Sequence, residues 1–375
     1  MNSTSLPVLR LAAGLVLAAQ AALAGAQSLG DRLERPSRMN SLAVQAPLTD
    51  VQSVGNELVM VGASGHVLRG SANAVDQANV PVDLLLTAVH FVDDRHGWAV
   101  GHDGAILQSS DAGRNWTLQL DGRAIGKMMV DWAEAEVARL EAAVAAAPDD
   151  EALATALDNA SFALDDARAG AEAGPARPLL DVWFRNADEG WAVGAYGMIV
   201  HTRDGGRSWE FLTGLDNPER LHLNAVLGLA DGSLIVAGEG GRLHRLVEGQ
   251  WQPVQQLTDA SLYKLLALAD GQLLVMGFGG ALFESADQGG HWQAVATPAK
   301  ASLYGGTQLA DGSLVLTGQG GAVLHGANVH QLRASTAGGK TAWLAAVALP
   351  DAQLALVGSA GLRVLPLTEL KEQLK

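Results

Sequence analysis

Residues 97–116 read GWAVGHDGAILQSSDAGRNW, and residues 190–209 repeat them as GWAVGAYGMIVHTRDGGRSW. Each stretch holds an apolar run, a Gly-x-x-Gly, a second apolar run and then Ser/Thr-x-Asp-x-Gly-x-x-Trp. Two short apolar runs joined by a glycine-bounded turn predict an antiparallel hairpin, each Gly pair supplying the positive φ of a two-residue turn. In the closing motif the Asp carboxylate accepts amide hydrogen bonds from its own turn. The Gly takes the left-handed position, and the Trp opens a further strand and packs a large apolar area.

The Gly pair recurs outward in both directions, at Gly62/Gly65, Gly101/Gly104, Gly194/Gly197, Gly238/Gly241, Gly277/Gly280, Gly318/Gly321 and Gly358/Gly361. The steps between first glycines are 39, 93, 44, 39, 41 and 40 residues. A period near forty built from short strands is the signature of propeller blades. Asp231-Gly232, Asp270-Gly271 and Asp311-Gly312 mark the turn before the second strand of three units, and Asp351-Ala352 is its weaker counterpart. The prediction is an all-β, seven-bladed β-propeller. Its seventh unit supplies three strands, ending at Leu362-Arg363-Val364-Leu365. Residues 41–45, which read like the outer strand of another unit, are expected to close the ring as the fourth.

The closing motif occurs three times: Ser109, Asp111, Gly113 and Trp116; Thr202, Asp204, Gly206 and Trp209; Ser285, Asp287, Gly289 and Trp292. This is the Asp-box, and its reading is structural. With Phe91 to Gly101 and Trp183 to Gly194, each followed by such a box, the chain resembles the photosystem II stability/assembly-factor family of bacterial neuraminidase repeat propellers, in its non-photosynthetic bacterial branch. The resemblance implies a seven-bladed, non-enzymatic assembly factor. Relatives of this branch are associated with transporters of the resistance-nodulation-division type, so it also implies an inner-membrane protein partner.

The long step of 93 residues is an insertion, residues 126–172, between blades two and three. Met129, Trp132, Val137, Leu140 and Val144 recur at helical spacing, as do Leu153, Leu157, Ala160 and Leu164 after a break at Pro148. Two antiparallel helices are predicted. From Asp131 to Glu172 the net charge is −9, of −15 for the whole chain. That excess disfavours nucleic acid or an anionic membrane surface and fits a basic docking surface on a protein.

Residues 1–26 have the order of a cleavable export signal: Arg10, an apolar run from Leu11 to Leu23, then Ala24-Gly25-Ala26. The mature propeller then comprises residues 27–375, expected in the periplasm. The absence of cysteine excludes disulfides, thiolate chemistry and Cys-based metal sites.

No catalytic, cofactor or metal residues are assigned. Partner contact is expected from the Gly-pair turns, at His102, Asp103, Tyr196, Glu239, Phe278 and Gln319, and from the outward carboxylates Glu134, Glu141, Asp158 and Asp165 of the insertion. The alternative is a periplasmic glycoside hydrolase of sialidase type. It would need an arginine cluster beside a Tyr nucleophile, and the chain's tyrosines are Tyr196, Tyr263 and Tyr304.

Overall fold

The computed structural model describes residues 30–71, 74–335, 340–350 and 352–373. The expected export signal lies outside them. Seven antiparallel sheets follow one another along the chain, six of four strands and the last of three. We number them one to seven in chain order. Their first strands are Leu48–Val54, Leu86–Phe91, Leu179–Phe184, Leu223–Gly228, Leu262–Ala267, Leu303–Gln308 and Trp343–Leu349. Each packs against the next, and Trp343–Leu349 returns to Leu48–Val54. The second strands, such as Gly97–Gly101 and Leu314–Gly318, are buried along their whole length. A neighbouring sheet covers each of their faces, which is why they read as unbroken apolar runs.

Polar side chains near the axis stitch successive sheets together. Thr49 Oγ1 donates to Leu86 O at 2.7 Å, Thr87 Oγ1 to Leu179 O at 2.8 Å and Asn224 Nδ2 to Leu262 O at 2.8 Å. Asp50 and Asp181 do the same as acceptors, from Val89 N and Val226 N, both at 3.1 Å.

The glycines of each pair have different tasks. The second, as in Gly65, Gly197 and Gly280, has φ between +64° and +82°. The first is extended, with φ of −169° at Gly194 and Gly277. It is required by close approach: a Cβ on Gly277 would lie 2.1 Å from Ser261 O, and one on Gly194 2.3 Å from Pro178 O. The turn between them is a tight 3-10 turn whose middle residue is also left-handed, not the two-residue turn expected. The seventh pair departs from this pattern: Gly358 and Gly361 face one another directly across a shorter hairpin.

Residues 41–45 do not form the expected closing strand. Asn40 Oδ1 accepts from Leu42 N at 2.9 Å, and this side-chain turn leads into a 3-10 helix, Ala43–Gln45. A short Asn-initiated turn outcompetes the extended conformation here. Ala43 is buried, and the turn packs on the third strand of sheet seven, Gly361–Pro366.

The insertion is a helical hairpin, α1 (Gly122–Ala146) and α2 (Glu151–Ala173). It begins four residues earlier than the periodicity indicates because Asp121 is an N-cap, accepting from Arg123 N and Ala124 N at 2.9 and 3.0 Å. Asp150 caps α2 in the same way. Ala133, Leu140, Leu164 and Ala167 are buried between the helices and at their foot. A last helix, α3 (Leu367–Gln373), follows sheet seven and buries Leu370.

Candidate functional site: a groove between the hairpin and the propeller rim

The Gly-pair turns lie at equivalent corners of successive sheets, so topology places them around one face. Their predicted contact residues differ in what they offer. Tyr196 and Phe278 are 53% and 59% exposed, and Gln319 is exposed beside them on its own sheet. His102 and Asp103 are half-buried, because Gly122 at the start of α1 sits against their turn. Burial raises the Asp103 carboxyl above its ordinary pKa. Glu239 is engaged by His222, whose backbone N–H donates to it at 2.8 Å and whose ring Nδ1 lies 3.2 Å away.

Tyr196 is the rim residue that meets the hairpin. It holds a left-handed backbone, φ 58°, with its ring edge-on to His222 at 4.9 Å and the Arg177 guanidinium 5.4 Å over its face. Beside it α1 leans on the outer strand of sheet three, Glu210–Phe211, where Trp132 and Phe211 pack at 6.2 Å. Between them runs a groove of about 220 Å³ lined by Met129, Trp132, Tyr196, Phe211, Asp166 and Arg220 among others. Trp132 remains 42% exposed.

The groove's polar edge is a three-residue charge cluster. Asp166 accepts from Arg220 and, at 3.3 Å, from Arg177. Burial alone would raise the Asp166 carboxyl, but the two guanidiniums outweigh it and hold it below the ordinary carboxylate range. Two cations on one anion leave a net positive edge inside an acidic protein. Arg220, like Tyr196, has positive φ, 52°.

The hairpin carboxylates are not equivalent either. Glu134 is paired with Arg168 at 2.8 Å, whereas Glu141, Asp158 and Asp165 are exposed. Sequence reasoning missed Phe162, 74% exposed on α2. It stands off the Leu153, Leu157 and Leu164 stripe, and that displacement is the signal that marks it. Asp158 and Asp165 lie one turn either side of it.

The Asp-box residues are occupied in their own turns. Asp111 Oδ1 accepts from Arg114 N and Asn115 N, both at 3.0 Å, and Ser109 Oγ accepts from Gly113 N at 2.9 Å. Trp116 Nε1 donates back to Gly113 O at 2.9 Å, and Trp292 to Gly289 O at 3.1 Å. Hydrogen bonds from the Ser208 hydroxyl and amide lower the Asp204 carboxyl to about 2. The Asp287 carboxyl is lowered likewise by the His291 ring and amide.

The axial cavity, about 240 Å³, is lined by Asp50, Asp181, Tyr263, Lys264 and Tyr304 among others. Asp181 lies 3.5 Å from Lys264 and accepts from two backbone amides. Its carboxyl is raised by burial. Both aspartates are thus committed to joining sheets. Lys264 is the cation lining this cavity, where the hydrolase reading needs an arginine cluster. Among the described residues, no group of three or more His, Asp or Glu could hold a metal ion.

Sheets that follow one another around a central axis, each with its first strand innermost, define a β-propeller. The WD40 propeller domain of Doa1 superposes with a TM-score of 0.60 at 9% identity, covering 90% of this chain and 97% of that one. Residues 172–329 match the family model for the photosynthesis system II assembly factor YCF48. A structure of YCF48 bound to D1 peptide superposes with a TM-score of 0.58 at 15% identity, over 85% of this chain and 93% of that one. The chloroplastic photosystem II stability/assembly factor HCF136 of Arabidopsis thaliana is 39% identical over 69 residues, 18% of this chain and 17% of its own length. Over residues 172–329 the chain is thus similar to the photosystem II assembly-factor family of bacterial neuraminidase repeat propellers, and it spans only a small part of the length of the curated relatives it matches.

Proposed function

We propose that this protein is a non-enzymatic binding scaffold, a seven-bladed ring whose rim and helical hairpin together hold a segment of another protein. The groove at Tyr196 and Trp132 carries this reading. Exposed aromatics beside a clamped charge cluster have the composition of an interface anchor, and they stand on a rigid scaffold. Packing of sheet one on sheet seven, with residues 43–45 against the last strand, supports a closed ring. The family and the peptide-bound YCF48 structure support capture of a protein segment. A periplasmic site is part of this proposal, and the export signal expected at residues 1–26 supports it. The partner is then an inner-membrane complex, such as a resistance-nodulation-division type transporter, that the protein assembles or accompanies.

The test is affinity capture from a detergent-solubilised inner-membrane fraction, comparing the native chain with a Trp132→Ala, Tyr196→Ala double variant. The reading expects one membrane complex to co-purify with the native chain and to be lost from the variant at unchanged melting temperature. Equal recovery by both removes the groove from the account.

A further inference from the structure

Sheets one to six each carry a fourth, outer strand, and among the described residues sheet seven has none. Its third strand, Gly361–Pro366, is therefore the outer edge of that sheet. An edge of this kind presents backbone donors and acceptors to whatever can pair with them. Natural propellers shield such edges, and among the described residues this one is shielded at its ends alone. At the first end the 3-10 turn Ala43–Gln45 crosses it, so that a Cβ on Gly361 would lie 2.0 Å from Val44 O. At the other, α3 follows directly and tucks Leu370 into the core shared with sheet six.

At the first of these ends, beside the 3-10 turn, lies a cleft of about 550 Å³ lined by Met39, Val44, Leu68, Val75, Gln77 and, from the edge strand, Leu362. Leu68 and Val75 belong to the third and outer strands of sheet one. They face sheet seven, in one apolar cluster with Leu362. Met39 is 62% exposed and its neighbour Leu42 58% exposed, two of the more exposed large apolar side chains among the described residues. The repeat itself says what shape fits here. In the other sheets this position holds a short strand with an apolar second residue, as in Ala74–Gln77, Thr117–Leu120 and Gln250–Pro253.

We propose that the open edge of sheet seven receives an extended segment of a partner protein, which pairs with Gly361–Pro366 as the missing fourth strand. Main-chain hydrogen bonds supply the pairing, and apolar side chains at alternate positions seat on Leu68 and Val75. Basic flanks favour entry, since Asp76 stands at the cleft and the chain carries a net charge of −15. The site lies at the junction of sheets seven and one, remote in sequence from the Tyr196 groove. It stands or falls independently of the function proposed above.

The experiment follows amide hydrogen exchange at residues 361–366 of the full chain on adding a synthetic peptide. The probe carries residues 114–121 of this protein, an outer-strand sequence with Leu118 at its second strand position. Exchange at 361–366 should slow by about tenfold or more at saturation, the protection of a paired strand against an edge. The same peptide with Leu118→Pro should give no protection, because proline lacks the donor. Met39→Asp in the protein, an exposed change that leaves the core intact, should weaken the peptide by about tenfold. Three results overturn the proposal. One is unchanged exchange with the peptide. Another is equal protection by the proline peptide. The third is protection of 361–366 before any peptide is added that already matches Ile106–Ser109, which would mean that the chain pairs this edge itself.

Discussion

At the residue scale, glycine and histidine positions separate packing from conformation. Gly277 is extended and collides through any Cβ with Ser261 O at 2.1 Å, whereas Gly279 is left-handed, φ 66°, with open space around it. Gly277→Ala should therefore cost about 1–3 kcal/mol or more, by forcing two strands apart. Gly279→Ala should cost only about 1–2 kcal/mol of backbone strain. Urea denaturation of the two variants orders them, and the reverse order would refute this division of labour. The sequence showed the Gly pairs but not this difference, because a spacing pattern does not reveal which backbone approaches which. His90 gives a pH signature. Burial, aided by the charge of Lys264, lowers its pKa to about 4, and its Nδ1 accepts from Phe184 N at 3.1 Å. An unfolded His takes a proton near 6.5. The stability from neutral His90 is thus present above pH 6.5 and lost as pH falls toward 4. The loss is roughly 2–4 kcal/mol at about 1.4 kcal/mol per pKa unit. Melting curves between those pH values should show the decline, and His90→Gln should flatten it. An equally steep decline in that variant would assign it to another group.

At the element scale, strands and hairpin were legible where the pattern is local and repeated. The apolar runs before each Gly pair, the Asp-boxes and the 3.6-residue stripes of the insertion all require only neighbours in sequence. The exceptions are instructive. Residues 41–45 resemble an outer strand in composition, but an Asn40 turn and burial of Ala43 fix them as a 3-10 turn. The expected hairpin contact residue Glu134 is taken up by Arg168, a partner on the other helix that no local pattern reveals. The groove was also invisible, since Trp132, Asp166, Tyr196 and Arg220 come from four separate stretches. Excision of the hairpin should spare the fold, because the helices pack mainly on each other and it is the foot of α1, at Ile125, Met128 and Met129, that enters the core of sheets two and three. We expect a chain with residues 122–173 replaced by a short Gly-Ser linker to melt cooperatively, with the far-ultraviolet signal of the sheets retained. Loss of the cooperative transition would show the hairpin to be part of the core. Phe278→Ala, on sheet five and away from the groove, should weaken partner capture far less than Trp132→Ala.

At the scale of the whole molecule, seven sheets around an axis create one rim, one axial cavity and one junction. The cavity's carboxylates join sheets instead of pairing for acid–base work, so purified protein should show no turnover of sialosides or common glycosides. Hydrolysis abolished by Asp50→Asn or Asp181→Asn would restore the hydrolase reading. The central claim is that rim and hairpin act together to hold a partner protein. Its most direct test is quantitative capture from the solubilised inner-membrane fraction by the full chain and by the chain trimmed of residues 122–173, at low and high salt. The account predicts that the trimmed propeller loses most of the captured complex. It also predicts that capture by the full chain weakens with salt, because exposed Glu141, Asp158 and Asp165 steer the encounter. Capture by the trimmed propeller as strong as that of the full chain, with the same salt dependence, would contradict it.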